Sequence, residues 1–121
     1  MTIRNARTFM DNLWDWEILD GCFGKTTMGV SDLDGIIERH GQFLVLETKS
    51  TGKSIPIGQV RIFEAMARMK NFTVLVVWGD PGYPNRMQEW PHKPHEADRS
   101  TLQQAVRDWY ELVEYEYSNR H

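Results

Sequence analysis

Between residues 33 and 46 the apolar residues Leu33, Ile36, Ile37, Phe43, Leu44, Val45 and Leu46 gather on either side of His40-Gly41. This is the pattern of two strands joined by a two-residue loop. With that loop, pairing runs Arg39 with Gln42, Ile37 with Leu44, Ile36 with Val45 and Gly35 with Leu46. Side chains alternate across a strand, so Leu33, Ile37, Leu44 and Leu46 share one face and Ile36, Phe43 and Val45 the other. Apolar residues on both faces predict a central hairpin in a mixed sheet with helices on either side.

The remaining elements follow from their own periodicities. Phe9, Leu13 and Trp16, widened by Met10, Trp14 and Ile18, form the stripe of a helix over Asn5 to Asp20, with Gly21 as its stop. Cys22 to Val30 reads as a loop leading into a short strand. After the polar loop Thr51-Gly52-Lys53-Ser54, Pro56 opens a helix over Ile57 to Lys70 with Ile62, Phe63, Met66 and Met69 on its inner face. The β-branched run Phe72 to Trp78 is a buried strand, closed by the turn Gly79-Asp-Pro-Gly-Tyr-Pro. Prolines 84, 91 and 94 make the next stretch to Arg99 irregular, with a short edge strand at Met87 to Trp90. A final helix from Ser100 to Tyr117, capped by Ser100, carries Leu102, Val106, Trp109 and Val113 on one face.

At 121 residues with these proportions of apolar and charged residues, the chain reads as one soluble domain, 1–121, of α/β class. The single cysteine, Cys22, excludes an internal disulfide and a cysteine-rich zinc site. The first residues lack an apolar signal core and no run approaches membrane-spanning length, so the expectation is a cytoplasmic protein with no membrane partner. The net charge of -3 runs against the basic excess usual in nucleic-acid binding, although an acidic cluster that takes up metal would account for part of it.

That cluster lies at the open end of the hairpin. Continuing the register sets Asp34 opposite Glu47 and Asp32 opposite Lys49, all on the Val45 face. Like charges paired across a sheet are destabilising, and a divalent cation between them removes the conflict. Asp34 and Glu47 are hard oxygen ligands suited to Mg²⁺, with Mn²⁺ as a substitute. Asp32 falls beside Lys49. Gln59, three and four residues before Ile62 and Phe63, points inward near the start of its helix and needs a polar partner there. Glu17, at the edge of the first helix's apolar stripe, is a candidate further ligand, with a solvated helix position as the alternative. Lys25 and Lys53, in flanking loops, are candidate phosphate contacts, followed by Arg61 and Arg68. The His92-Lys-Pro-His95 segment reads as surface loop.

The order helix, strand, hairpin, helix, strand, with Asp34 thirteen residues before Glu47-Thr48-Lys49, resembles the PD-(D/E)XK nuclease superfamily. Glu47-Thr-Lys-Ser-Thr followed by a Gln-bearing helix is similar to archaeal Holliday-junction resolvases, and Asp32-Leu-Asp-Gly to small phage-type nucleases. The resemblance implies a restriction-endonuclease-like core, a central mixed β-sheet flanked by helices, here with an added C-terminal helix. It implies metal held by Asp34, Glu47 and the carbonyl of Thr48, with Lys49 and Gln59 completing the catalytic set and no organic cofactor. The implied activity is Mg²⁺-dependent DNA endonuclease. The alternatives are a dimeric, structure-selective junction resolvase, whose homodimer would use exposed aromatics of the last helix, and a non-cleaving nucleic-acid-binding module on the same fold.

Overall fold

The computed structural model describes residues 14–120. The chain divides into two compact units, Met1–Ser31 and Asp32–His121. In the first, the expected helix lies mostly outside the described residues. Of its last turns only a 3-10 turn, Glu17–Leu19, forms. Trp16 just before it has φ 64°, a left-handed backbone that an α-helix cannot continue through. The strand expected before Val30 is absent among the described residues: this stretch is turn and coil, with Gly21 and Gly24 at φ 85° and 65°.

The second unit is a five-stranded mixed sheet with two helices, of α/β class. Its elements are β1 (Gly35–Arg39), β2 (Gln42–Lys49), α1 (Ile57–Ala67), β3 (Phe72–Asp80), β4 (Tyr83–Glu89), β5 (His95–Glu96) and α2 (Arg99–Arg120). The strands lie in sequence order, and only β2 and β3 are parallel. A parallel pair needs a crossover, and α1 is that crossover.

The hairpin has the expected register, Gly35 with Leu46 through Arg39 with Gln42. His40 and Gly41 both take positive φ, 52° and 79°, as a primed two-residue turn requires, and Glu38 Oε2 accepts the Gly41 N–H at 2.8 Å. The turn is tied to the far end of α2: Glu114 Oε1 meets Arg39 Nε at 2.6 Å and His40 Nε2 at 2.9 Å, and the His40 ring stacks on Tyr117.

Alternation along β2 and β3 divides the core in two. Val45, Val74, Val76 and Trp78 pack with Phe63, Ile62 and Met66 of α1 on one face. On the other, Leu44, Leu75, Val77 and Met87 pack with Leu102, Ala105, Val106 and Trp109 of α2. Complete burial of Leu44, Val45, Val74 and Val76 contributes roughly 1.5–3 kcal/mol for each side chain. Only β2 of the hairpin is central. β1 is an edge strand, with Ile36 and Ile37 exposed.

Three further expectations change. α1 ends at Ala67 rather than Lys70, leaving Met69 half exposed: the Arg68 N–H still bonds the Glu64 carbonyl, but the Met69 N–H turns to the Met66 carbonyl in a tighter turn. The segment expected to be irregular after Gly79 contains a full strand, β4. Pro84 is accommodated in it because the β3–β4 pairing shifts register between Trp78 and Gly79, next to the Gly79–Pro84 pair. The cap of α2 is Asp98, not Ser100: Asp98 Oδ1 accepts the Thr101 N–H and O–H, both at 2.9 Å, and Thr101 Oγ1 accepts the Asp98 N–H.

Candidate metal and phosphodiester site

β2 delivers Glu47, Thr48 and Lys49 at its C-terminal end, beside the parallel strand β3, with Glu47 next to Val76 and Lys49 next to Trp78. Glu47 alternates with Val45 and therefore faces α1. Only 3% of it is exposed, which makes it the one charged-type residue in the core among the described residues. Its Oε2 has no hydrogen-bond partner. A buried carboxyl is costly unless it is paired or neutralised.

Asp34 precedes β1 and reaches across to β2. Its Oδ2 accepts both the Thr48 N–H and the Thr48 O–H, each at 2.8 Å. Burial pushes Glu47 up, reinforced by its hydrogen bond with Asp34, by the Asp34 charge and, least, by Asp32. Lys49 opposes them, and the carboxyl titrates at about 7. Burial would also raise Asp34, but the Thr48 amide, the Glu47 carboxyl, the Thr48 hydroxyl and Lys49 together hold it below the usual carboxylate range. Two carboxyls whose environments drive their pKa values apart are a feature of functional sites.

α1 contributes Gln59, whose Oε1 is buried without a partner, as the inward-facing position near the helix start requires. Two orphaned acceptor oxygens, Glu47 Oε2 and Gln59 Oε1, thus belong to the same side of the sheet. Acceptors without donors suit a hard cation and its waters. Among the described residues no group of three or more His, Cys, Asp and Glu is placed to hold a metal. Mg²⁺ takes one or two carboxylates and otherwise keeps water, so it does not need such a cluster.

Asp34, Glu47, Thr48, Lys49 and Gln59 all come from the Asp32–His121 unit. Asp32 is exposed, and among the described residues no ion pair joins it to Lys49. Glu17 and Lys25 lie in the Met1–Ser31 unit, where both are exposed. Lys53 is exposed in the turn after β2, and its carbonyl accepts the Trp78 Nε1–H at 2.7 Å. Arg61 and Arg68 lie exposed on and just beyond α1. His95 is in β5, with Nδ1 2.8 Å from the Glu96 carbonyl. The exposed aromatics expected on α2 divide: Trp109 packs in the core, Tyr110 lies under Arg39, and Tyr115 is 67% exposed.

Sequence reasoning missed Arg86, which β4 sets beside Trp78. No family model, curated protein or solved structure matches this chain. No helix among the described residues is long and apolar enough to cross a membrane.

Proposed function

We propose that this protein is a metal-dependent DNA endonuclease built on a restriction-endonuclease-like core of the PD-(D/E)XK type. The observation that carries the reading is the buried Glu47, with one oxygen unpartnered and its pKa raised to about 7, hydrogen-bonded to an Asp34 held below the usual range. A purely structural carboxyl pair at a strand end would turn to solvent or to a cation of the chain.

Asp34, Glu47, the Thr48 carbonyl and Gln59 Oε1 are the residues that would hold Mg²⁺. The bound ion would lower the pKa of a water and neutralise charge developing on the phosphoryl group. Thr48 fixes the Asp34 carboxylate through two hydrogen bonds, which preorganises the ligand. Lys49, one alternation beyond Glu47 on the same face, provides an ammonium for a non-bridging phosphate oxygen and for orienting the attacking water. That water's oxygen bonds to phosphorus as the bond to the leaving sugar oxygen breaks.

The test is incubation of the protein with linear, single-stranded, branched and supercoiled DNA plus Mg²⁺ or Mn²⁺, alongside Glu47→Ala and Lys49→Ala. Metal-dependent cleavage by wild type that both variants lose supports the reading. Absence of cleavage, or equal cleavage by the variants, refutes it and leaves the non-cleaving module. The exposed apolar edge of β1, Ile36 and Ile37, favours a second reading, a homodimer of junction-resolvase type. A monomer on gel filtration at micromolar concentration excludes that reading.

A further inference from the structure

Pairing across the sheet sets Lys49 of β2, Trp78 of β3, Arg86 of β4 and Glu96 of β5 in one row. The row lies on the α1 face, because Trp78 packs there with Val45 and Val76 and the Arg86 guanidinium sits over the Trp78 ring, 5.6 Å from its centroid. Glu47 is on the same face, one alternation back. Neighbouring strands are about 4.8 Å apart, so Arg86 stands roughly 10 Å from Lys49 along the row.

Beside the row is a concave surface of about 700 Å³ whose lining includes Thr51, Lys53, Ser54, Asn85, Arg86 and Glu96. The turn that closes it is pinned at two points: the Lys53 carbonyl accepts the Trp78 Nε1–H at 2.7 Å, and Asn85 Nδ2 donates to Thr51 Oγ1 at 2.8 Å. Among the described residues neither Lys53 nor Arg86 has a carboxylate within ion-pair distance. Two cations without an ion-pair partner among the described residues are thus held on prearranged backbone, with Glu96 as the groove's one carboxylate, in a chain of net charge -3.

We propose that this groove binds the phosphodiester backbone of the DNA strand that leaves the Asp34–Glu47–Lys49 site, with Lys53 and Arg86 contacting phosphates of that strand and Trp78 positioning Arg86. The inference rests on the nuclease reading for the direction of the strand. The chemistry fits phosphate rather than bases: Trp78 is 7% exposed and already covered by Arg86, so its ring is closed to stacking. Lys49 and Arg86, roughly 10 Å apart, are separated by about three nucleotides of B-form rise, so a strand held at Lys49 reaches Arg86 within a few nucleotides. Glu96, which pairs with Arg86 across β4 and β5 and lines the same groove, is the wrong charge for phosphate and bounds the track on the β5 side.

The test is fluorescence anisotropy of the full-length protein with fluorescein-labelled DNA, single-stranded and duplex, with Ca²⁺ replacing Mg²⁺. Arg86→Ala and Lys53→Ala are each expected to weaken binding about fivefold or more and to lower the salt-dependence slope by about one. Arg86→Lys should retain part of the affinity, and Arg107→Ala, exposed on α2, should bind as wild type. Thermal melts of each variant separate lost contacts from lost folding. Unchanged affinity and salt slope in both alanine variants, or no DNA binding by wild type, overturns the groove. Its failure is separable from that of the nuclease reading. Cleavage that Glu47→Ala abolishes, with binding indifferent to Arg86, removes the groove alone. Arg86-dependent binding without metal-dependent cleavage removes the nuclease alone.

Discussion

Asp34 and Thr48 are joined by two hydrogen bonds to a single oxygen, amide and hydroxyl both at 2.8 Å from Asp34 Oδ2. The amide bond survives any side-chain change, whereas the hydroxyl bond depends on the residue. Thr48→Val removes the hydroxyl and keeps the branched shape, so Asp34 loses one of the interactions that hold its pKa down. Substitutions of such ligand-orienting groups typically cost about 10–100-fold in metal affinity or activity. Calorimetric titration with Mg²⁺ should show a loss of this order for Thr48→Val and near-recovery for Thr48→Ser. Equal affinities would mean that the hydroxyl does not orient Asp34.

The raised pKa of Glu47 has a measurable sign. Unfolded, the carboxyl titrates near its ordinary 4.5; folded, at about 7. Between these values the folded state binds more protons, so metal-free stability should fall as pH rises through that window. Each pKa unit is worth ~1.4 kcal/mol, which makes the full loss about 3–4 kcal/mol. Glu47→Gln, neutral at every pH, should flatten the profile and melt above wild type at pH 8 without metal. Added Mg²⁺ should then raise the melting temperature of wild type and leave the variant unmoved. A wild-type profile level from pH 5 to 8 would contradict the assignment.

How far the sequence disclosed this arrangement depended on whether each feature was local. The hairpin register followed from His40-Gly41 and the alternation around it, while the ladder ends at the Gly35–Leu46 pair and Asp34, in the bend before it, bonds to Thr48. Gln59 followed from helix spacing alone. β4 was hidden because Pro84 argues against a strand, and only the shifted pairing beside Gly79 makes room for it. Arg86 was invisible for the same reason: its place beside Trp78 is a property of the β3–β4 pairing. At α2, Ser100 and Asp98 both had cap chemistry, and the reciprocal bonds with Thr101 decide for Asp98. In the first unit the apolar stripe predicted a helix through Asp20, and the left-handed backbone of Trp16 is incompatible with one there.

Gln59 brings a buried acceptor that the protein does not satisfy. Replacing such a group by an apolar residue of similar shape is nearly neutral or stabilising, because an unpaired buried polar atom costs about 1–3 kcal/mol. Gln59→Leu should therefore melt at or above the wild-type temperature without metal, while gaining less from Mg²⁺. A conventional core amide would behave oppositely, losing stability with or without the ion. Differential scanning calorimetry across a Mg²⁺ series distinguishes the two.

Gly79 and Gly58 predict opposite outcomes for the same substitution. Gly79 has φ 147°, and a Cβ there would stand 2.3 Å from the Tyr83 carbonyl oxygen and 2.9 Å from Pro84 Cα. Both neighbours are backbone of the strand whose register shift gives Pro84 its place, so neither can swing aside. Gly79→Ala therefore combines an unfavourable backbone region, of order 1–3 kcal/mol, with a steric overlap that must displace β4 from β3. Gly58 lies in the first turn of α1, without positive φ, and a methyl group there would meet nothing within 4 Å. Alanine at this position reduces the entropy of the unfolded chain and should add about 0.4–1 kcal/mol. Urea denaturation of the two variants against wild type should shift the midpoints in opposite directions. Because β4 also carries Arg86, Gly79→Ala should weaken DNA binding as well, whereas a midpoint equal to that of wild type would show that the bulge tolerates a side chain.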